Sequence, residues 1–70
     1  YNKLGQHQLA IGDYNEAIRL NSNDKSAYLN RGTIFLKQGN TKIGCRDLQK
    51  ACDLGECKGL EYSKSQGYCN

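Results

Sequence analysis

A 34-residue repeat is the feature of this sequence that most limits its fold. When the chain is shifted by 34 positions, small, aromatic and aliphatic residues fall on one another in register. The matching pairs are Ala10 with Gly44, Ala17 with Ala51, Leu20 with Leu54, and Tyr28 with Tyr62. A period of this length is typical of stacked supersecondary units. One unit cannot bury its apolar face alone, so each requires a neighbour.

The stretch from residue 28 to residue 54 has the pattern of two helices joined by a short turn. Apolar or small residues recur at helical spacing at 28, 32, 35 and 36, and again at 44, 48, 51 and 54. Gly32 and Gly44 are small enough to let two helix backbones approach closely. Gly39 favours the left-handed conformation that ends a helix, and Asn40 or Thr41 can cap the next one. We therefore predict antiparallel helices over 25–38 and 41–54.

The remaining segments predict two further helices. We expect a helix over 6–20, preceded at 1–4 by the last turn of an earlier helix that Gly5 separates from it. Residues 21–24 form a turn in which Asp24 can cap the second helix. Gly55 ends the third helix, and a short fourth helix is expected over 57–67.

These residues together resemble a tetratricopeptide repeat, with YLNRGTIFLKQGNTKIGCRDLQKACDL as its best-matching stretch. The resemblance implies an all-α fold of antiparallel helix–turn–helix hairpins. It divides a single domain, 1–70, into a partial repeat at 1–20, a full repeat at 21–54 and a capping helix at 55–70. The capping segment departs from the family, since Gln66 stands where a small residue is expected. Because the chain contains no Met and opens on Tyr1, we expect a fragment or mature form cut from a longer protein, namely the C-terminal part of a repeat array.

Charge and hydropathy argue against two classes of partner. Ten basic and seven acidic side chains give a net charge of +3 and are scattered along the whole chain. A nucleic-acid surface would cluster its basic residues and lack acids. No apolar run approaches the roughly 20 residues of a membrane span. The sequence thus indicates neither nucleic-acid binding nor a membrane span.

Four cysteines, Cys45, Cys52, Cys57 and Cys69, lie in the last 26 residues and allow three interpretations. They can be buried free thiols, because cysteine packs as a small hydrophobe. They can form disulfides: antiparallel packing across the Gly55 turn would pair Cys52 with Cys57 and Cys45 with Cys69. A metal site fits less well, because the spacing contains no CxxC pair. We predict the two disulfides and no metal.

The cysteine-rich ending, KACDLGECKGLEYSKSQGYC, also resembles the C-terminal caps of bacterial tetratricopeptide proteins and, more loosely, Sel1-like repeats. Such relatives are commonly exported. If the cysteines are paired, an oxidising periplasmic or extracellular location is therefore expected.

No catalytic or cofactor motif is readable, so the sequence does not indicate an enzyme. His7 is expected to be a solvated surface residue. The eight glycines form no phosphate-binding pattern. The aromatic residues Tyr14, Tyr28, Phe35 and Tyr62 recur at positions that we predict to be core.

The family resemblance implies a concave surface, lined by the first helix of each hairpin, that holds an extended peptide. Its expected residues are Ser26, Leu29, Asn30, Thr33, Leu36, Lys37 and Lys64. Asn30 and Lys64 match positions of a subgroup that grips a peptide's terminal carboxylate, but Leu60 replaces that subgroup's other basic residue. The predicted function is a scaffold for a protein or peptide partner. The alternative is a structural cap with no ligand.

We also expect self-association through the N-terminal end. The face formed by Ala10, Tyr14 and Ala17 would be left partly uncovered there.

Overall fold

The computed structural model describes residues 3–69, and side chains from Gln6 onward. Within these residues the chain forms four helices and no strand, which confirms the predicted all-α fold. The helices are α1 (Lys3–Leu20), α2 (Lys25–Lys37), α3 (Thr41–Asp53) and α4 (Lys58–Ser65). Helix α2 packs against α1 on one side and α3 on the other, and α3 packs against α4. This serial packing is that of stacked hairpins.

Most helix ends follow from residues that the sequence singles out. The Asp24 carboxylate caps α2 by accepting a hydrogen bond from the Ala27 N–H at 3.1 Å. Gly39 and Gly55 end α2 and α3 with φ angles of 84° and 111°, which confirms their predicted role. Asn40 stands at the N-cap position of α3, one of the two residues predicted for it, but its side chain makes no capping hydrogen bond.

The predicted break at Gly5 is wrong. Helix α1 runs without interruption from Lys3 through Gly5 to Leu20. A glycine inside a helix disfavours it by only about 1 kcal/mol relative to alanine, which neighbouring helical residues can offset. Tyr1 and Asn2, predicted to belong to an earlier helix, lie outside the described residues.

Helices α2 and α3 meet at two glycines. A Cβ atom added to Gly32 would lie 2.9 Å from the carbonyl oxygen of Gly44, and one added to Gly44 would lie 2.8 Å from that of Gly32. Only residues without a Cβ permit this approach. It brings Leu48 and Ala51 of α3 into full burial, at 1% and 0% exposure.

The apolar core is small and lies towards the C-terminal half. Leu48, Leu60 and Cys69 form its centre, with Leu29 and Leu36 of α2 packed against them. The molecule measures only 31 × 26 × 15 Å along its principal axes. So thin a fold buries few side chains and depends strongly on each one.

A polar cluster joins the first three helices. The Arg31 guanidinium donates hydrogen bonds from Nε and Nη2 to the carboxylate of Asp47, at 2.7 and 2.8 Å. Its Nη1 donates to Asn15 of α1 at 2.8 Å. Arg31 also lies 5.6 Å from the centre of the Tyr28 ring. The hydrogen bonds that Arg31 donates to Asp47 raise the pKa of Arg31 above its already high ordinary value.

Helix α4 is rotated relative to the prediction. Leu60 and Ser63 face inward, at 6% and 2% exposure, whereas Tyr62 is 65% exposed and is not a core residue. Bonds from Cys57 and Cys69 to α3 hold the chain on either side of α4, which fixes its rotation. The other predicted core aromatics, Tyr14, Tyr28 and Phe35, are half-buried.

His7 also differs from its prediction as a solvated residue. Its side chain is half-buried, and Nδ1 is buried without a hydrogen-bond partner among the residues that the structure describes. The helical face of α1 on which His7 lies explains its partial burial.

Candidate functional site

A notch of about 230 Å³ lies between α2 and α4, and we refer to it below as the tyrosine notch. It is lined by Thr33, Leu36 and Lys37 of α2, by Gly59, Tyr62 and Ser63 of α4, and by Tyr68 of the following segment. Its apolar walls come mainly from Leu36 and the two tyrosines. Among the described residues, Lys37 is the one charged residue that lines it.

The α2 side of the notch follows from helical spacing. Thr33, Leu36 and Lys37 are three and four residues apart, so they share one face of the helix. The Thr33 hydroxyl donates a hydrogen bond to the Leu29 carbonyl oxygen at 2.8 Å. Its oxygen remains able to accept a hydrogen bond from a ligand.

The α4 side is brought close by a glycine. A Cβ atom on Gly59 would collide with the Leu29 side chain and lie 3.1 Å from Leu48. The absence of that atom lets α4 settle against α2, while Tyr62, one turn further along, stays exposed at the rim of the notch.

The third wall comes from the segment after α4, residues 66–69. Gly67 turns the chain with a φ of 85°. The Tyr68 N–H then donates to the Ser63 carbonyl oxygen at 2.9 Å, and the Cys69 N–H donates to the same oxygen at 3.4 Å. Cys69 is 5% exposed and is bonded to Cys45 of α3, with 5.7 Å between their Cα atoms. These contacts hold Tyr68 over the notch.

A second cleft, of about 350 Å³, lies on the other side of Tyr68, between α3 and α4. Its lining residues are Thr41, Lys42, Cys45, Gln49, Leu60, Lys64, Tyr68 and Cys69. Lys64 was predicted to lie on the peptide-binding face with Asn30. In the structure Lys64 lines this cleft together with Lys42, and its role in peptide binding stays a prediction.

The other predicted binding residues divide into three groups. Thr33 and Lys37 line the tyrosine notch together with Leu36. Leu29 packs against the core instead. Ser26 and Asn30 are exposed on α2 and line neither cavity. Neither of these two cavities is lined by both Asn30 and Lys64.

The two tyrosines of the notch were missed as site residues. Tyr62 was taken for core because it aligns with Tyr28 in the 34-residue register. The sequence did contain a signal for Tyr68. It directly precedes Cys69, which antiparallel packing was expected to bond to Cys45 in α3.

All four cysteines are bonded in the structure, Cys45 to Cys69 and Cys52 to Cys57. The Cα atoms of the second pair are 3.9 Å apart. Among the described residues, no three His, Cys, Asp or Glu side chains are grouped so that they could hold a metal ion. None of the four helices is both long and apolar enough to cross a bilayer.

Comparison with known proteins identifies relatives over most of the chain. The family model described as "TPR repeat" matches residues 1–39. The Hsp70-Hsp90 organizing protein 3 of Arabidopsis thaliana is 36% identical over 55 residues, which is 79% of this chain and 10% of that protein. The wheat Hsp70-Hsp90 organizing protein is 38% identical over 52 residues, 74% of this chain and 9% of its own length.

A human relative belongs to a different named group. DnaJ homolog subfamily C member 7 of Homo sapiens is 33% identical over 51 residues, 73% of this chain and 10% of that protein. The chain thus spans about a tenth of the length of the curated relatives it matches. These relatives are eukaryotic and lend no support to the bacterial resemblance of the C-terminal segment. No solved structure matches the chain significantly.

Proposed function

This chain belongs to the tetratricopeptide-repeat family, and on that premise we propose that it is an interaction module that holds an extended peptide in the tyrosine notch. The observation that carries the proposal is the notch itself: predicted peptide-binding residues, Thr33 and Lys37, line one open cavity with two exposed tyrosines. Tyrosine is enriched in protein interfaces because its ring is apolar and its hydroxyl is polar.

The size of the notch favours a peptide side chain over a small-molecule cofactor. Pockets for small molecules usually measure about 300–1,000 Å³, and the notch measures about 230 Å³. Leu36, Tyr62 and Tyr68 supply apolar contact, the Thr33 oxygen can accept a hydrogen bond, and Lys37 can pair with an acid. An extended segment crossing α2 and α4 would place one side chain in the notch.

The names of the relatives suggest where to look for a partner. The Arabidopsis and wheat proteins are named for organising Hsp70 and Hsp90, so peptides from chaperones of these two classes are the first to test. A grip on a terminal carboxylate by Asn30 and Lys64 is not part of the proposal, because Lys64 lines the other cleft.

The test is peptide selection followed by calorimetry. A random heptapeptide library is selected on the immobilised oxidised protein, and the enriched peptide is titrated by isothermal calorimetry. We expect Tyr62→Ala and Lys37→Glu each to weaken binding at least five-fold. Lys50→Glu, on the exposed face of α3, is the matched control and should leave the affinity unchanged. If no peptide is enriched, or if Lys50→Glu acts as strongly as Lys37→Glu, the proposal is wrong.

A structural cap remains the second candidate, and one observation favours it. Two covalent bonds and the buried Leu60 fasten α4 to α3, so α4 covers an apolar face that a capping unit must keep from water. If capping is the only role, the selection yields no peptide, while Leu60→Asp exposes the core and causes aggregation.

A further inference from the structure

Tyr68 is the residue that the tyrosine notch and the second cleft share. It is 51% exposed and lies beyond the last residue of α4, Ser65. Its position is therefore not set by a helix. It depends on the backbone hydrogen bonds to Ser63 and on its neighbour Cys69, which is bonded to Cys45.

We infer that the Cys45–Cys69 disulfide assembles the tyrosine notch into a site for an apolar side chain that lies next to a carboxylate. The inference rests on the proposed function and adds to it the chemistry of the ligand and a redox requirement.

The dependence on the disulfide follows from how Tyr68 is held, which is by two backbone hydrogen bonds and by its neighbour Cys69, a buried residue bonded to Cys45. Of the two hydrogen bonds to the Ser63 carbonyl oxygen, one measures 2.9 Å and the other a long 3.4 Å. Gly67, immediately before Tyr68, gives the backbone freedom to swing away once the end is released. The covalent bond through Cys69 prevents that motion. Without it the notch loses one of its two aromatic walls.

The chemistry of the ligand follows from the lining. Leu36, Tyr62 and Tyr68 surround a volume that suits one apolar side chain. Lys37 lies at the same cavity, and none of the described residues that line it is acidic, so a carboxylate of the ligand would meet positive charge there. The net charge of +3 for the chain adds attraction of the same sign.

The redox step needs a dithiol reductant. The dithiol supplies two electrons and two protons, the S–S bond between Cys45 and Cys69 breaks to give two thiols, and the dithiol closes to its own disulfide. Reoxidation by a disulfide of the same class reverses each of these changes.

Two double variants distinguish the effect of the Cys45–Cys69 bond from that of the Cys52–Cys57 bond. Cys45→Ser with Cys69→Ser removes it, whereas Cys52→Ser with Cys57→Ser leaves it in place and serves as the control. The probe is the synthetic peptide acetyl-SGLEGS-amide, titrated into 15N-labelled protein by NMR. The control peptides replace its Leu with Ser or its Glu with Gln.

We expect the probe to shift the amide signals of Lys37, Tyr62 and Tyr68 in the oxidised protein and in the Cys52/Cys57 variant. The apparent Kd should rise at least five-fold in the Cys45/Cys69 variant and in the wild type with dithiothreitol, and at least three-fold for each control peptide. Equal binding with and without the Cys45–Cys69 bond would overturn the inference and leave the proposed function standing. Shifts confined to other residues, or no binding of this probe by the oxidised protein, would also overturn the inference, whereas the library selection decides the proposed function.

A measurement without ligand guards against a variant that does not fold. Amide hydrogen exchange at Tyr68 should be at least ten-fold faster when the Cys45–Cys69 bond is absent, while exchange in α2 and α3 stays slower than at Tyr68. Tyr68→Ala keeps both disulfides and should weaken the probe as much as removal of the bond does. If Tyr68→Ala binds the probe like the wild type, Tyr68 is not a wall of the site and the inference is wrong.

Discussion

Gly32 and Gly44 face each other where α2 crosses α3, and the backbone of each occupies the space that a Cβ on the other would need. The crossing sets how deeply Leu48 and Ala51 are buried. Because the rest of the core packs on these residues, the geometry of the whole hairpin depends on the absence of a Cβ atom at Gly32 and at Gly44.

Gly32→Ala and Gly44→Ala should each lower the free energy of unfolding by about 1–3 kcal/mol through overpacking. Gly12→Ala is the matched control, since Gly12 is helical and has no neighbour within 4 Å of an added Cβ. That change should raise the free energy of unfolding by about 0.5–1 kcal/mol. Urea denaturation followed by circular dichroism compares the three. Equal destabilisation at all three positions would contradict the close crossing.

Arg31→Met should lower the free energy of unfolding by about 3 kcal/mol, because it leaves the Asp47 carboxylate buried without its partner. Adding Asp47→Leu should recover most of the loss, since the unpaired charge is then gone. The exposed pair Arg19 and Glu16 is the control, and Arg19→Met should leave the urea midpoint unchanged. If the double variant is less stable than Arg31→Met alone, the Arg31–Asp47 pair is not the main way in which these two side chains stabilise the fold.

Ala51→Asp should prevent folding, because Ala51 has 0% exposure and an unpaired carboxylate there would oppose the whole core. Lys42→Asp introduces the same charge at an exposed position and should change the free energy of unfolding by no more than about 0.5 kcal/mol. Circular dichroism at 222 nm distinguishes the two. Similar spectra for both variants would mean that the helix faces are assigned incorrectly.

Peptide mapping under non-reducing conditions should recover the pairs Cys45–Cys69 and Cys52–Cys57. Closure of the 24-residue separation between Cys45 and Cys69 should stabilise the fold by about 3 kcal/mol on the chain-entropy model. Reduction should therefore loosen α4 first, while hydrogen exchange in α2 and α3 stays slow. Four free thiols in the isolated protein would remove both the pairing and the argument for an oxidising compartment.

Self-association through the N-terminal end remains a prediction, and the structure shows which side chains of α1 are exposed there. Ala10, Tyr14 and Ala17 are half-buried, whereas Leu9 and Leu20 on α1 are 60% and 72% exposed. We expect concentration-dependent association in sedimentation velocity that is abolished when both leucines are replaced by lysine. A monomer at millimolar concentration in the wild type would contradict it.

The sequence was sufficient for the parts of the fold that depend on local pattern. The 34-residue register, the cap at Asp24 and the breaks at Gly39 and Gly55 depend on spacing and on backbone conformations that glycine favours. The same reasoning failed at Gly5, because a glycine that weakens a helix does not always end one.

The site was less predictable because it depends on how one helix is rotated. In the register, Tyr62 occupies the position of Tyr28, yet the bonds on either side of α4 turn Leu60 inward and Tyr62 outward. Lys64 moves to the other cleft for the same reason. The Arg31–Asp47 pair was also missed, since two charges 16 residues apart give no periodic signal.

The two disulfides are nested, with Cys52–Cys57 inside the interval closed by Cys45–Cys69. This nesting decides which part of the chain bears a pulling force. Tension on the chain beyond Cys69 would bypass α4 and enter α3 directly at Cys45. The enclosed segment, with its 24-residue separation, cannot extend, so about 80 Å of contour length is withheld while the bond is intact. Without the bond, α4 would detach first under tension. With the bond intact, the force acts on the α2–α3 crossing instead.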